Sequence, residues 1–582
     1  MNRIADDNSH PKNKAEVDAR VGVWGIDGHG LLVALALGTL LLLSLIFAPI
    51  SFWPAAFICM VPWLVMVGAS TQAPRVYLYS GLMALAFFLL NMRWLYFATG
   101  PGYFALSAYQ AVYFPFAAIA VRHVVRRRRW PLAIAFPFIW TGCEMVRAVM
   151  ISGFPWFFLS HSLHRVLTLI QISDLVGAYG VTFLVAAVNG VIADLILHNL
   201  RTGRAAWWRP EWRPARRQVI LVASLVLLVI VYGRIQLHRG TTSAGPRLAI
   251  LQGDYINTIY PEEAKDHDRS TDEEKLETYL SMMRAASALQ PDLYLLPETP
   301  WIMYLNPEAR DFHPLWRRSF AALRDHAVRN GAFVVTGSAT RIPTPDDLLA
   351  REHYQNSATV FAPDGREPER YDKIHLVYFG ELVPFRSGSF RWLYFWLNRL
   401  MPFSGPDGTL EYSLFPGSSF RSFTMQAVSR QGGSYRFGVP ICYEDVMPYV
   451  AREFTGAGSN AKQVDFLLNI SNDGWFGRGI QQPQHLAICV FRAVENRVGV
   501  ARAVNTGVSA LIDPSGRIHD VVRGDREDRW PGECGYAVAN VAVDSRFTWY
   551  TRYGDWFGWG CAAVWLLIFL DYWITRAREL AE

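Results

Sequence analysis

The chain has 582 residues, of which 51% are apolar and 18% charged, and its formal net charge is +6. That length leaves room for several domains of about 150 residues, and an apolar share this high with so few charges fits a chain partly held in a membrane. The positive charge sits mainly in arginine clusters beside apolar runs, which argues for membrane topology and against nucleic-acid binding.

Residues 1–28 are polar with scattered charges and read as a cytoplasmic tail. From residue 29 to 236 the chain becomes a series of apolar runs, and seven spans are expected near 30–48, 52–70, 76–97, 103–121, 131–150, 172–196 and 217–234. Several fall short of the roughly 20 apolar residues that cross a bilayer. The first run lacks a small-residue cleavage site and another run follows at once, so it does not read as a cleavable signal. Arg122 and Arg126 to Arg129 lie between the fourth and fifth runs; Arg201, Arg204, Arg209, Arg213, Arg216 and Arg217 lie between the sixth and seventh. Positive loops stay inside, and both loops give the same parity. The N-terminus is then inside, and the chain after the seventh span is outside.

Residues 246–545 read as one soluble domain. Short β-like runs such as "RLAILQGD", "DLYLLPE", "AFVVTGS", "YRFGVPICYE" and "VDFLLNIS" recur, with helical stretches near 272–289, 311–329 and 480–498. Strands alternating with amphipathic helices predict an α/β domain with helices over its sheets. A final apolar run, 556–575, is expected to return the C-terminus inside.

The six cysteines form no CxxC pair and no disulfide framework, so zinc and thioredoxin-like readings fail. A Cys489–Cys534 bridge stays open as an alternative. Three strand ends carry reactive groups: Glu298 in "DLYLLPETPW", Lys373 in "RYDKIHLVYFGELVPF" and Cys442 in "GVPICYEDVMP". Strand ends of α/β domains converge on one crevice. A thiol nucleophile needs a base, which a buried Glu298 can supply, and the resulting oxyanion needs positive charge or N–H donors, which Lys373 and a backbone amide can supply. Singly, each residue has a plain alternative: a capping Glu, a loop Lys, a packed Cys.

These contexts resemble the nitrilase superfamily, and the order of motifs along the chain resembles the apolipoprotein N-acyltransferase family. The resemblance rests on "YDKIHLVYFGELVPF", "ICYED", "NISNDGWFG", "QHL", "RAVENR" and "RAVNTGVSALIDPSG", and on "CEMVRAVMISGFPW" and "DLVGAYGVTFLVAAVNG" in the apolar half. It implies a multi-span helical membrane domain joined to an α/β nitrilase-like αββα sandwich. It makes Cys442 the nucleophile, Lys373 the catalytic lysine and Glu298 the base, with Glu381, Tyr443 and Glu444 in support. It implies no cofactor and no metal. The donor would be a membrane phospholipid, and Cys442 would carry the acyl group as a thioester. The acceptor would be the diacylglyceryl-cysteine at an apolipoprotein's N-terminus, and the site would face the periplasm from a bacterial inner membrane. Where the family places a substrate-contacting Trp, Tyr260 stands nearest, and "SHSLH" (160–164) replaces the family's Tyr-Ser-Gln.

Other features allow two readings. Residues 392–397, with Trp392 and Trp396, are either an arm dipping into lipid and touching substrate or an amphipathic helix packed on the domain. Glu144 and Arg147 share a helix face and are expected to pair. His485, Arg492, Glu495 and Arg497 are expected to wall the site from beneath, Asp445 has no assigned part, and His161 and His164 have no metal-ligand partner. A membrane-anchored amidase and a non-catalytic membrane scaffold are the competing classes; the first needs only one anchor, and the second predicts loss of Glu298, Lys373 or Cys442.

Overall fold

The structure is a computed structural model that describes residues 27–202, 213–255, 270–344, 352–399, 413–427, 432–522 and 533–581. Its first part is a helical bundle: α1 (His29–Ile46), a 3-10 turn (Trp53–Phe57), α2 (Val61–Ala69), α3 (Ala73–Asn91), α4 (Gly100–Ala111), α5 (Tyr113–His123), α6 (Leu132–Val149), α7 (Ser173–Thr202) and α8 (Arg213–His238). Among the described residues seven helical stretches, including the one at the C-terminus, are long and apolar enough to cross a membrane. The run expected at 52–70 is not one continuous helix but a 3-10 turn followed by nine residues of α2. Asn189 of α7 fills the break, accepting from the Met60 N–H at 2.8 Å and donating to the Ala56 carbonyl at 2.8 Å.

The two ends of the bundle differ in chemistry. At one end Arg122 donates to the Ser70 and Thr71 carbonyls (2.6 and 2.8 Å), and Arg126 also binds the Ser70 carbonyl. Asp194 takes the Ala133 N–H there at 2.9 Å. The last helix ends at the same place, where His123 (2.7 Å) and Arg128 both hold Asp571. The other end meets the second domain: Gln484 Oε1 accepts the indole N–H groups of Trp94 and Trp156 at 3.1 and 3.0 Å.

The second domain is two six-stranded sheets. The first has the order β12-β1-β2-β3-β4-β5, from β1 (Thr242–Gln252), β2 (Leu293–Leu295), β3 (Phe333–Pro343), β4 (Glu352–Phe361), β5 (Glu369–Asp372) and β12 (Gly535–Asp544). The second has the order β11-β10-β9-β8-β7-β6, from β6 (Ser422–Gln426), β7 (Ser434–Gly438), β8 (Phe466–Ser471), β9 (Gly499–Val504), β10 (Ala510–Ile512) and β11 (Ile518–His519). Fully buried runs such as "FLLNIS" in β8 fit strands covered on both faces. Helices α9 (Asp272–Ser287) and α10 (Pro314–Asn330) cover the first sheet through Leu276, Tyr279, Met283 and Leu323. After the short α11 (Arg391–Asn398), helices α12 (Pro448–Thr455) and α13 (Gln481–Asn496) cover the second. The layering is therefore helix, sheet, sheet, helix.

All sixteen residues of α13 are buried. An amphipathic helix on a free sheet keeps a wet face; here the bundle end covers that face. Glu495, paired with Arg492 at 2.8 Å, accepts the Ala178 N–H at 2.9 Å, and Arg497 reaches Asp174 and Gln171 (both 2.6 Å). Glu495 and Arg497 thus fasten the domain to the bundle instead of walling the site, while Arg492 also reaches the Val446 carbonyl at 3.1 Å, directly after Cys442–Asp445. The chain leaves the domain through α14 (Trp549–Tyr553) and enters the last long helix, α15 (Trp556–Ala581).

Glu144 and Arg147 also depart from expectation. Glu144 is taken up by Trp140, the Leu159 N–H and the Thr182 hydroxyl at 3.0, 2.9 and 2.7 Å, and no ion pair joins it to Arg147 among the described residues. Arg147 instead lies over the Phe88 and Phe158 rings, 5.9 and 5.5 Å from their centroids.

Candidate active site

Glu298, Lys373 and Cys442 come from three different strand ends and meet. Glu298 lies just past β2, where Gly337 of β3 crosses the backbone so closely that a Cβ there would stand 2.7 Å from the Glu298 Cα. Only glycine permits that approach. Lys373 follows β5, its N–H bound to the Asn356 carbonyl at 2.8 Å. Cys442 opens a 3-10 turn after β7 with φ of +52°. A left-handed non-glycine residue is strained and persists where the surroundings fix it.

Three polar groups close around the carboxylates of Glu298 and Glu381. Lys373 Nζ stands 2.9 Å from Glu381 Oε1 and 3.7 Å from Glu298 Oε1. Asn356 Nδ2 donates to the same two oxygens, at 3.1 Å to Glu381 and 2.6 Å to Glu298. The Cys442 thiol faces the Glu298 carboxylate, and the Glu298 charge acts on it. Burial works against the ammonium of Lys373, but Glu381 and Glu298 hold its pKa above the usual lysine range. Burial raises the Glu298 carboxyl, with Lys373 and Asn356 pulling the other way. Burial and the Glu298 charge push the Cys442 thiol well up, so the resting group is S–H.

Glu444 ties the lysine segment to the cysteine turn. Its Oε1 accepts from Tyr371 Oη, Ile374 N and His375 N at 2.8, 2.8 and 3.0 Å, and its Oε2 from Ile441 N at 2.8 Å. Tyr443 stacks on His375 and donates to the Gly153 carbonyl of the bundle at 3.2 Å.

Asn356 had no sequence signal, because a single amide inside a strand is ordinary there. Beneath the turn, Asp445, His485, Asp473 and Arg502 form a buried ion cluster; of these the sequence pointed only to His485. Helix α11 divides its residues: Tyr394 and Asn398 face the domain, while Trp392, Phe395 and Trp396 are exposed. Tyr260 lies outside the described residues. All six cysteines, Cys489 and Cys534 included, are free thiols, and no cluster of metal-binding side chains occurs among the described residues.

A half-buried Cys with a carboxylate base and a charge-paired lysine, on an αββα sandwich fixed to a helical bundle, defines a carbon–nitrogen hydrolase domain of the nitrilase kind within a membrane protein. The family models agree: residues 40–191 match the apolipoprotein N-acyltransferase N-terminal domain and residues 247–529 match carbon-nitrogen hydrolase. An apolipoprotein N-acyltransferase of Geobacter metallireducens is 34% identical over 79% of this chain and 77% of its own. Another from Pseudomonas syringae is 29% identical over 95% and 98%. Among solved structures, a CN-hydrolase superfamily protein of Xanthomonas campestris aligns at 18% identity and a TM-score of 0.33, over 51% of this chain and 91% of its own. The chain belongs to the apolipoprotein N-acyltransferase family and is an acyltransferase.

Proposed function

We propose that this protein N-acylates the diacylglyceryl-cysteine at the N-terminus of apolipoproteins, taking the acyl group from a membrane phospholipid through a thioester on Cys442. The observation that carries the reading is the shared site: a neutral thiol beside a carboxylate and an ammonium that its neighbours keep charged, at the end of the bundle remote from its arginine clusters. Glu298 takes the thiol proton as sulfur attacks the ester carbonyl. Lys373, kept charged by Glu381, faces the oxyanion. Collapse breaks the carbon–oxygen ester bond, and the lysophospholipid oxygen leaves with the proton from Glu298. In the second half, the acceptor amine attacks the thioester, Glu298 takes its proton, and the carbon–sulfur bond breaks to restore the thiol. A thioester divides one hard exchange into two easier ones.

Glu381 and Glu444 act in support by holding Lys373 and the cysteine turn, and Tyr443 fixes that turn against the bundle. The exposed rings of Trp392 and Trp396 meet the acyl chains at the lipid surface, and Tyr260 contacts substrate. The domain division is a tail over 1–28, a bundle over 29–236, a catalytic domain over 246–545 and a last span over 556–575. With arginines inside, the catalytic domain faces the periplasm from the inner membrane. The seating of the domain on the arginine-poor end of the bundle supports this orientation. Both substrates keep their chains in the bilayer, so a site held at that surface suits them.

Incubating the purified protein with phospholipid carrying a labelled acyl chain should yield a hydroxylamine-sensitive label on the Cys442 peptide. That label should pass to a diacylated lipopeptide on addition. An unlabelled wild-type protein, or equal labelling of Cys442→Ala, overturns the reading.

A further inference from the structure

Ser471 has no part in the steps above, yet it stands against the reacting sulfur. An isolated parallel bridge pairs Ile441 with Ile470, so the next residues, Cys442 and Ser471, emerge side by side. The Ser471 hydroxyl is fully buried and stands beside the Cys442 thiol, whose acidity it favours. At rest it donates to Asp473 Oδ1 at 3.2 Å. Its backbone is fixed in β8, with its carbonyl accepting the Asn505 N–H at 3.0 Å.

Asp473 does not depend on that hydroxyl. His485 Nδ1 donates to the same Asp473 oxygen at 2.9 Å, and Arg502 donates to the other at 3.1 Å. His485 Nε2 donates to Asp445 Oδ1 at 2.6 Å, and Arg502 also holds Asp445 and, at 2.7 Å, Asn469. Burial and Arg502 oppose charge on His485, but Asp445 and Asp473 keep the imidazolium above its ordinary pKa. Burial opposes charge on the two aspartates as well, and His485 and Arg502 hold both below theirs. Two cations therefore match two anions, and the Ser471 contact is longer than those that His485 and Arg502 make with Asp473.

Resting on Cys442 as the nucleophile, we propose that Ser471 is a further catalytic residue whose hydroxyl turns from Asp473 to the Cys442 sulfur as the thiolate forms. The S–H proton goes to Glu298 and the sulfur lone pair forms the carbon–sulfur bond. The Ser471 proton stays on its own oxygen throughout and only changes direction. While the sulfur is protonated the hydroxyl oxygen can accept from it; when it is charged the hydroxyl donates to it. Once the thioester forms, sulfur is a poor acceptor and the hydroxyl returns to Asp473. The buried cluster is what frees the hydroxyl to move, because it satisfies Asp473 without it.

The charged groups facing Cys442 are Glu298, Lys373, Asp473 and Arg502, and Ser471→Ala leaves all four in place. The test is the rate of Cys442 alkylation by iodoacetamide at fixed pH, read on the Cys442 peptide of the full-length protein in detergent. Ser471→Ala should slow alkylation about tenfold, equal to about one unit of thiol acidity, and slow thioester formation by a similar factor. Ser471→Thr, which keeps a hydroxyl, should alkylate within about twofold of wild type, well inside that one-unit difference. A wild-type alkylation rate in a Ser471→Ala protein of wild-type melting temperature overturns the proposal, as does a Thr variant as slow as the Ala variant. Alkylation needs no acyl donor, so a failure of the acyl-transfer reading leaves this result legible.

Discussion

Glu444→Gln is the most informative single change, because one carboxylate holds the segments carrying both Lys373 and Cys442. Three donors converge on Oε1 and one on Oε2. A glutamine has one carbonyl oxygen, so its best pose keeps the three donors and turns an NH2 toward the Ile441 N–H. That leaves one buried donor unpaired, at about 1–3 kcal/mol, and removes charge assistance from three hydrogen bonds, at about 1 kcal/mol each. Relief of burying a charge, visible in the raised Glu444 pKa, returns part of this, leaving about 3–5 kcal/mol. At about 2 °C per kcal/mol for a large domain, melting should fall by about 6–10 °C. Thioester formation should fall further, about a hundredfold, since shifts near 1 Å in catalytic groups cost that much. Scanning fluorimetry in detergent and labelling of the Cys442 peptide measure the two effects. Melting within about 2 °C of wild type, equivalent to about 1 kcal/mol, together with an unchanged labelling rate would refute the reasoning.

Three further outcomes follow from the same contacts. Asn356→Leu removes a donor that opposes protonation of Glu298, so the acid limb of thioester formation should move to higher pH; an unmoved limb contradicts the bond. His485 has a raised folded pKa, so its stabilisation is fully present below about pH 6.5 and is lost as pH climbs through that raised value. Wild type should lose melting temperature over that interval, and His485→Gln should start lower and lose less; parallel curves would count against a buried imidazolium. Gln484→Leu strands the Trp94 and Trp156 indole N–H groups at about 1–3 kcal/mol each, so limited proteolysis at the seam should quicken, and equal cleavage rates would argue that the bridge carries no load.

Much of this site was readable because catalysis concentrates unusual residues at strand ends. Cys442, Lys373 and Glu298 each stand at a strand end, and the motif order supplied their partnership. Asn356 and Ser471 were invisible for the converse reason: single polar residues within strands are commonplace, and only register brings them to the site. Glu495 and Arg497 were assigned to the wrong neighbours, because a sequence shows that a helix face is charged but not what lies across from it. The i,i+3 spacing of Glu144 and Arg147 was correct for contact, but Trp140, Leu159 and Thr182 offered the carboxylate better-placed donors. The broken second run read as continuous because hydropathy does not register where an apolar backbone stops being helical.

That break bears on how the chain reaches its final form. Backbone groups facing hydrocarbon must be satisfied from within the protein, and those at Ala56 and Met60 are satisfied by a side chain 133 and 129 residues further on. During synthesis, the segment leaves the ribosome well before α7 exists. Until α7 arrives, the second pass has exposed amide and carbonyl groups that lipid cannot accommodate. The break in this segment is therefore completed only once α7 packs beside it. The order of helices in the sequence and the order in which they become stable in the membrane are then different, and Asn189 sets the difference.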